Sequence, residues 1–243
     1  MSTLILVRHG QSQWNREGRF QGWVDVPLSE TGILESQMAA ESLSHITIDV
    51  AFVSRLSRAQ MTVLTILSAQ KQTGIIVHED ERRNRWQVRS EQLSPNDIPI
   101  YSTRQLNERY YGRVQGMNKD DACTEFGKET VFRWRRSYRA RPPGGESLAQ
   151  AFKRVLPYFR KRIMGELTQG RTTLLVAHGN TLRAIIKHIE NIPEEDVPLL
   201  DIPTAEPIIY EYEDGALTHR AGFRYSLNQP LYWTSDSDDT TGD

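Results

Sequence analysis

Apolar residues gather in short runs that stop abruptly at polar corners. Leu4 to Val7 is a continuous apolar run ending at Arg8-His9-Gly10. Such a run predicts a strand buried on both faces of a parallel sheet. Ile48-Asp49-Val50-Ala51-Phe52-Val53, Ile75-Ile76-Val77 and Leu174-Leu175-Val176-Ala177 predict three more strands, the last ending at His178-Gly179. Helical patterns lie between and after them. Ser29 caps a helix carrying Ile33, Leu34 and Met38. Leu56, Ala59, Val63 and Leu67 recur at helical spacing, as do Leu182, Ile185, Ile186 and Ile189. Leu148, Phe152, Val155, Leu156, Phe159 and Ile163 form another stripe, which Pro157 should bend. Strands alternating with helices predict a three-layer α/β/α fold around a mainly parallel central sheet.

Two stretches break the pattern. Residues 80–105 are polar and irregular, with Arg82, Arg83, Arg85 and Arg89 clustered, and read as a surface insertion. Residues 234–243 carry four acids and no base and read as a disordered tail. The expected organisation is one domain over residues 1–233 followed by that tail. No repeat at solenoid periods is visible.

Composition narrows the function classes. Thirty Lys+Arg against 31 Asp+Glu give a net charge of -1 over 243 residues, so a global basic field for nucleic acid is absent. The mean hydropathy of -0.55 is that of a soluble chain. The first apolar run is too short for a leader and lacks flanking basic and small residues, and nothing approaches a membrane span. One cysteine, Cys123, leaves no internal disulfide and no multi-thiolate metal site. These features predict a cytoplasmic protein without nucleic-acid or membrane partners.

The chemistry centres on a pairing. Leu6-Val7-Arg8-His9-Gly10 and Val176-Ala177-His178-Gly179 share one layout, a buried strand followed by His-Gly. In open α/β sheets ligands bind at the carboxyl ends of strands. Two histidines at two strand ends share such a crevice if the strands are neighbours. A neutral imidazole there can attack a phosphoryl group, and the glycine after it lets a ligand approach the backbone. Each pair read alone is also no more than a polar strand exit. A two-histidine metal site lacks a third ligand at recognisable spacing, and HExxH is absent, so no metal is expected. GxxxxGK[ST] and GxGxxG are absent as well.

The segment Leu6-Val7-Arg8-His9-Gly10-Gln11-Ser12-Gln13-Trp14-Asn15 resembles the opening of the histidine phosphatase superfamily, and more narrowly of the cofactor-dependent phosphoglycerate mutases. The resemblance continues through Arg19-Phe20-Gln21-Gly22-Trp23, Ser57-Arg58-Ala59, Leu106-Asn107-Glu108-Arg109-Tyr110-Tyr111-Gly112 and Gln115-Gly116-Met117-Asn118-Lys119. Trp134-Arg135-Arg136-Ser137-Tyr138, Gly145-Glu146-Ser147-Leu148, Ala177-His178-Gly179-Asn180-Thr181 and Ile202-Pro203-Thr204 follow in the family's order. The resemblance implies that His9 is the phosphorylated nucleophile and Glu108 the general acid/base, with Arg8, Arg58 and His178 lining the phosphate pocket. It assigns substrate contacts to Arg8, Asn15, Gln21, Gly22, Arg58, Glu108, Arg109, Tyr110, Tyr111, Lys119, Arg135, Arg136, Gly179 and Asn180. Lys119, Arg135 and Arg136 would take a second anionic group. Planar guanidinium forks suit phosphate because they bind at two points and stay charged. Without the resemblance, Glu108-Arg109 reads as a surface ion pair and Arg133-Trp134-Arg135-Arg136 as a solvated basic face.

The implied activity interconverts 3-phosphoglycerate and 2-phosphoglycerate, with 2,3-bisphosphoglycerate as priming phosphoryl donor and no metal. A homodimer or homotetramer is the implied assembly. Three departures bear on this. Gln21 stands where the family has a small residue, Ala205 replaces a usual glycine, and the segment after Tyr138 is short. A less covered site admits water, and water as acceptor makes a phosphomonoesterase. A non-catalytic anion sensor is the third class, against which the retention of His9 and Glu108 argues.

Overall fold

The computed structural model describes residues 1–70, 72–79 and 93–224. Its frame is a seven-stranded sheet: β1 (Ser2–Arg8), β2 (Val50–Ser54), β3 (Thr73–His78), β4 (Asp97–Thr103), β5 (Thr173–Ala177), β6 (Ile208–Glu213) and β7 (Ala216–Gly222). The order across the sheet is β3-β4-β2-β5-β1-β6-β7. The first five in that order run parallel, and β6 and β7 close the far side as an antiparallel hairpin.

The helices are α1 (Gln13–Arg16), α2 (Glu30–Leu43), α3 (Ser57–Ser68), α4 (Lys119–Phe126), α5 (Lys128–Arg136), α6 (Leu148–Tyr158), α7 (Met164–Thr168) and α8 (Gly179–Glu190). Pro157 lies inside α6, and a π-helical stretch, Phe159–Ile163, follows directly and leads into α7. A proline withholds one amide from the helical ladder, and a wide turn beside it is a common accommodation.

The sheet's pleat divides the core. Leu4 and Leu6 of β1, with Phe52 and Leu175, pack against Val155, Leu182 and Ile186 of α6 and α8. Ile5 and Val7, with Ala51, Val53, Leu174 and Val176, pack against Ala39, Leu43, Val63 and Ile66 of α2 and α3. All four apolar side chains Leu4 to Val7 are fully buried, each stabilising the fold by about 1.5–3 kcal/mol. The strand that carries Arg8 and His9 to its end is thus firmly held. A smaller cluster, Phe20, Val114, Ala122, Val131 and Trp134, fixes α4 and α5 beside the carboxyl ends of the strands.

The surface insertion expected over residues 80–105 is corrected in its later part. Asp97–Thr103 is β4, paired parallel to both β3 and β2, with Ile98 and Ile100 buried. Residues 80–92, with the arginine cluster, and the tail 234–243 lie outside the described residues. Among the described residues no helix is long and apolar enough to cross a membrane.

Candidate active site

β1 and β5 are parallel neighbours with Arg8 opposite Ala177. The next residue on each is a histidine, and the His9 amide donates to the Ala177 carbonyl at 3.0 Å. The two rings leave the sheet side by side, their centroids 4.9 Å apart at 62°. Their surroundings differ. His9 Nδ1 lies 2.7 Å from the Gly10 carbonyl oxygen. A carbonyl only accepts, so Nδ1 carries the proton and Nε2 keeps its lone pair. His178 is wholly buried, and its Nε2 lies 2.7 Å from Ser54 Oγ. Its ring stands edge-on to His9, its Nδ1 is buried without a partner, and it is not among the residues that line the cavity.

Burial, then the Arg58 and Arg8 guanidiniums, hold the His9 imidazole well below its ordinary 6.5. Burial, Arg58 and His9 do the same for His178. Both rings are therefore neutral at pH 7, the form able to attack phosphorus. The depression has a consequence for stability. Below 6.5 the unfolded chain takes up protons on these histidines that the folded protein refuses, so stability is full above that value and falls as the pH drops. Each histidine contributes a slope of up to about 1.4 kcal/mol per pH unit. Urea unfolding of the unliganded protein between about pH 7.5 and 5.5 will show this decline. His9→Asn will shallow it, and an unchanged slope in that variant would contradict the assignment.

The turn after His9 is pinned rather than loose. The Gly10 amide donates to Thr62 Oγ1 of α3, and the Gln11 amide to Glu35 Oε2 of α2. A Cβ on Gly10 would lie 2.2 Å from the Gly32 carbonyl oxygen, and one on Gly32 would lie 1.9 Å from that of Gln11. Gly10 is therefore required by the close passage of α2. The comparable position at Gly179 meets nothing nearer than Arg8 at 3.8 Å, so close backbone approach is demanded at only one of the two His-Gly pairs.

His9 faces a cavity of about 360 Å³. Arg8 and Arg58 enter it from the ends of β1 and the start of α3. Arg8 Nη1 donates to the Ile202 carbonyl, and Arg58 donates to the Val24 and Gly22 carbonyls at 2.9 Å. The Nε of each is buried without a partner. Burial lowers the Arg58 guanidinium to about 10, which leaves it charged at neutral pH. Lys119 of α4, Arg135 and Arg136 of α5, Arg183 of α8 and Arg19 bring further positive charge to the same walls, against the carboxylates of Glu108 and Asp201. Burial and the neighbouring Arg136 lower Arg183 to about 10 as well. So many cations around one small volume, two with unspent N–H groups, make an anion site. The first turn of α8 adds the amides of Gly179 and Asn180 at its positive end.

Of the residues expected from the sequence, Arg8, His9, Asn15, Gln21, Gly22 and Arg58 line the cavity, as do Glu108, Tyr111, Lys119, Arg135, Arg136, Gly179 and Asn180. Asn15 also closes the cap of α1, its Oδ1 accepting from the Ser12 amide. Gln21 is nearly buried, and its Oε1 has no partner. Three expected residues do not line the cavity. His178 stands edge-on beside His9. Arg109 is fully buried with its guanidinium 4.6 Å from the centre of the Tyr111 ring. Burial raises the Tyr111 phenol, but the Arg109 guanidinium and the Asn180 side chain together hold it below its ordinary range. Tyr110 is turned outward and packs edge-on against Trp23, 5.7 Å between centroids. Arg183, Arg19, Gln11, Asp201 and Thr204 line the cavity without having been singled out. Arg183 was within reach of the sequence, since it lies three residues after Asn180 and so on the same helix face.

Glu108 presents its carboxylate between two elements, Oε1 accepting from the Arg109 amide at 2.6 Å and Oε2 from the Asn180 amide at 3.5 Å. Among the described residues no group of His, Cys, Asp or Glu could hold a metal ion.

The model of the histidine phosphatase superfamily (branch 1) matches residues 4–87 and 85–221. The chain belongs to the histidine phosphatase superfamily. It is 45% identical over 223 residues to the 2,3-bisphosphoglycerate-dependent phosphoglycerate mutase of Chlamydia trachomatis serovar L2, covering 91% of this chain and 98% of that one. It is 43% identical over 233 residues to the protein of the same name from Methanosarcina acetivorans, covering 89% and 94%. Among solved structures, YhfR of Bacillus stearothermophilus superposes with a TM-score of 0.72 over 90% of this chain and 95% of that one, at 22% identity. That likeness concerns the fold alone.

Proposed function

We propose that this superfamily member is a phosphoglycerate mutase that interconverts 3-phosphoglycerate and 2-phosphoglycerate through a phosphohistidine on His9. The observation that carries the reading is the neutral His9, its Nε2 lone pair free, in a cavity also lined by Lys119, Arg135, Arg136 and Arg183. Arg8 and Arg58 hold the transferring phosphoryl group, whose charge spreads over its oxygens in the transition state. The further cations hold the carboxylate and the remaining phosphate of a phosphorylated acid. Glu108 gives a proton to the departing oxygen and takes one from the hydroxyl that accepts the phosphoryl group back. The His178 ring, edge-on to His9, limits how far the His9 ring can turn.

The donor set, with Arg8 Nε and Arg58 Nε unpartnered, fits a ligand bearing two phosphates. When bound, 2,3-bisphosphoglycerate supplies the phosphoryl group that charges His9. Arg8 and Arg58 would hold the group being transferred, and Lys119, Arg135 and Arg136 the other. The same reading places the enzyme in the cytoplasm, acting on a free small molecule as a homodimer or homotetramer. A phosphomonoesterase is the second reading, favoured by Gln21, whose unpartnered Oε1 is an acceptor for water in a pocket otherwise rich in donors.

Incubation with 3-phosphoglycerate, with and without 2,3-bisphosphoglycerate, separates the readings. The mutase gives 2-phosphoglycerate in a manner dependent on 2,3-bisphosphoglycerate. Release of inorganic phosphate without 2-phosphoglycerate would replace the mutase by the phosphatase, and neither product would leave only an anion-binding protein.

A further inference from the structure

The carboxylate of Glu108 is carried by residues 104–110, a segment with little regular structure beyond the short turn Arg104–Leu106. A general acid must be held to a fraction of an ångström, yet this stretch has no strand or long helix of its own to hold it. Its backbone is held from α6. Arg154 Nη1 donates to the carbonyls of Gln105 at 2.9 Å, Asn107 at 3.1 Å and Arg104 at 3.3 Å, and Nη2 donates to that of Glu108 at 3.2 Å. The other side of the same guanidinium is fixed by Glu146, with Nε to Oε1 at 3.1 Å and Nη2 to Oε2 at 2.9 Å. Glu146 in turn accepts from the Tyr110 amide at 2.9 Å, and its own amide donates to the Tyr110 carbonyl at 2.7 Å. Trp23 completes the clamp. Its Nε1 donates to the Glu108 carbonyl at 2.6 Å, and its ring lies 5.5 Å beneath the Arg154 guanidinium.

We infer that Arg154, oriented by Glu146, is a positioning residue that sets the general acid/base Glu108 at the oxygen it protonates. The inference rests on the assignment of Glu108 under the proposed function. Arg154 does not line the cavity, so it acts through the backbone of 104–108 and not on substrate. Only a planar fork with five donors can meet several carbonyls and a carboxylate together. A lysine supplies the charge from a single point and cannot span them.

The step affected is the charging of His9. The His9 Nε2–P bond forms, the P–O bond to the substrate alkoxide breaks, and that oxygen takes the proton of the Glu108 carboxyl. With p-nitrophenyl phosphate the same bonds form and break, but the phenolate departs as a stable anion and needs no proton. The measurement is the single-turnover rate of His9 phosphorylation by 2,3-bisphosphoglycerate and by p-nitrophenyl phosphate. It is made in the wild type, Glu108→Gln, Arg154→Lys, Glu146→Gln and the double variant Glu108→Gln/Arg154→Lys, with the melting temperature of each.

Arg154→Lys should lower the ratio of the first rate to the second by about tenfold or more, the scale of a displaced catalytic group. Glu146→Gln should lower it less. In the Glu108→Gln background Arg154→Lys should leave the ratio unchanged, because the group it positions is gone. A role confined to stability would lower the melting temperature and move both rates together. A wild-type ratio in both Arg154→Lys and Glu146→Gln, with a lowered ratio in Glu108→Gln, overturns the positioning role alone. A wild-type ratio in Glu108→Gln itself overturns the acid/base assignment instead. If Arg154→Lys does not fold, Glu146→Gln decides by the same ratio.

Discussion

Asparagine in place of His9 will abolish the phosphoenzyme and lower mutase turnover by more than about four powers of ten, the scale found when a covalent nucleophile is removed. The substitution keeps a polar side chain of modest size at the end of β1, where the strand is locked by its four buried neighbours, so the protein should fold. His178 cannot take over, although its ring centroid is only 4.9 Å away. It is wholly buried, its Nε2 is engaged at Ser54, and it does not face the cavity. The test is isotopic labelling from 2,3-bisphosphoglycerate, followed by acid and alkali treatment and peptide mapping. A phosphohistidine is lost in acid and survives alkali. An acid-labile label that persists in His9→Asn would remove His9 from its role, whatever the remaining geometry.

The neutrality of His9 and the charge of its pocket have one cause. Arg8 and Arg58 crowd the ring, and their charge, added to burial, makes an imidazolium beside them unfavourable. The ring is thus an unprotonated nucleophile in an environment that attracts a dianion. Under the proposed function the same two guanidiniums would face the oxygens of the transferred phosphoryl group, so the repulsion that depresses the histidine would become attraction in the product. Of the further cations, Lys119 comes from α4 and Arg135 and Arg136 from α5, helices that adjoin neither histidine-bearing strand in sequence, whereas Arg183 comes from α8, which His178 caps.

Much of the sheet was legible because its inner strands are buried on both faces and so appear as unbroken apolar runs. Leu4–Val7 and Leu174–Ala177 are of this kind, and their His-Gly exits marked the site. The shared layout left open whether the two strands are neighbours, and the pairing of Arg8 with Ala177 shows that they are. β4 was hidden by Pro99. A proline inside a run argues against a central strand because it cannot donate to the ladder. Here pairing with β2 begins only at Ile100, so at Pro99 the strand has only β3 in register beside it, and the missing amide is tolerated. The β6–β7 hairpin was overlooked, although Asp214-Gly215 between two alternating stretches is a two-residue turn signal; both residues have positive φ, 51° and 84°. In the site, single residues behaved less predictably than motifs. Arg109 and Tyr110 follow Glu108 in sequence, but successive side chains of an irregular segment point in different directions. One is buried beneath Tyr111 and the other turned outward.

Glu108→Gln will separate the proton from the rest of the site. Glutamine keeps the shape, and its oxygen can still accept from the Arg109 amide, which in the native protein lies 2.6 Å from Oε1. It has no acidic proton to deliver. Phosphorylation of His9 by 2,3-bisphosphoglycerate should fall by about 10²–10⁴-fold, the contribution usual for general acid catalysis. The return step should fall in parallel, because the same carboxylate takes the proton from the accepting hydroxyl. Binding should change little, since the cations that hold the anion are untouched. The loss then appears in kcat with KM nearly constant, the signature of an interaction made only in the transition state. Steady-state kinetics in both directions, with ligand affinity measured by calorimetry, would check this. A rise in KM at constant kcat would instead make Glu108 a binding residue. The proton would then have to come from another group on the cavity wall, of which the Tyr111 phenol, held below its ordinary range by Arg109 and hydrogen-bonded by Asn180 Nδ2, is the nearest in kind.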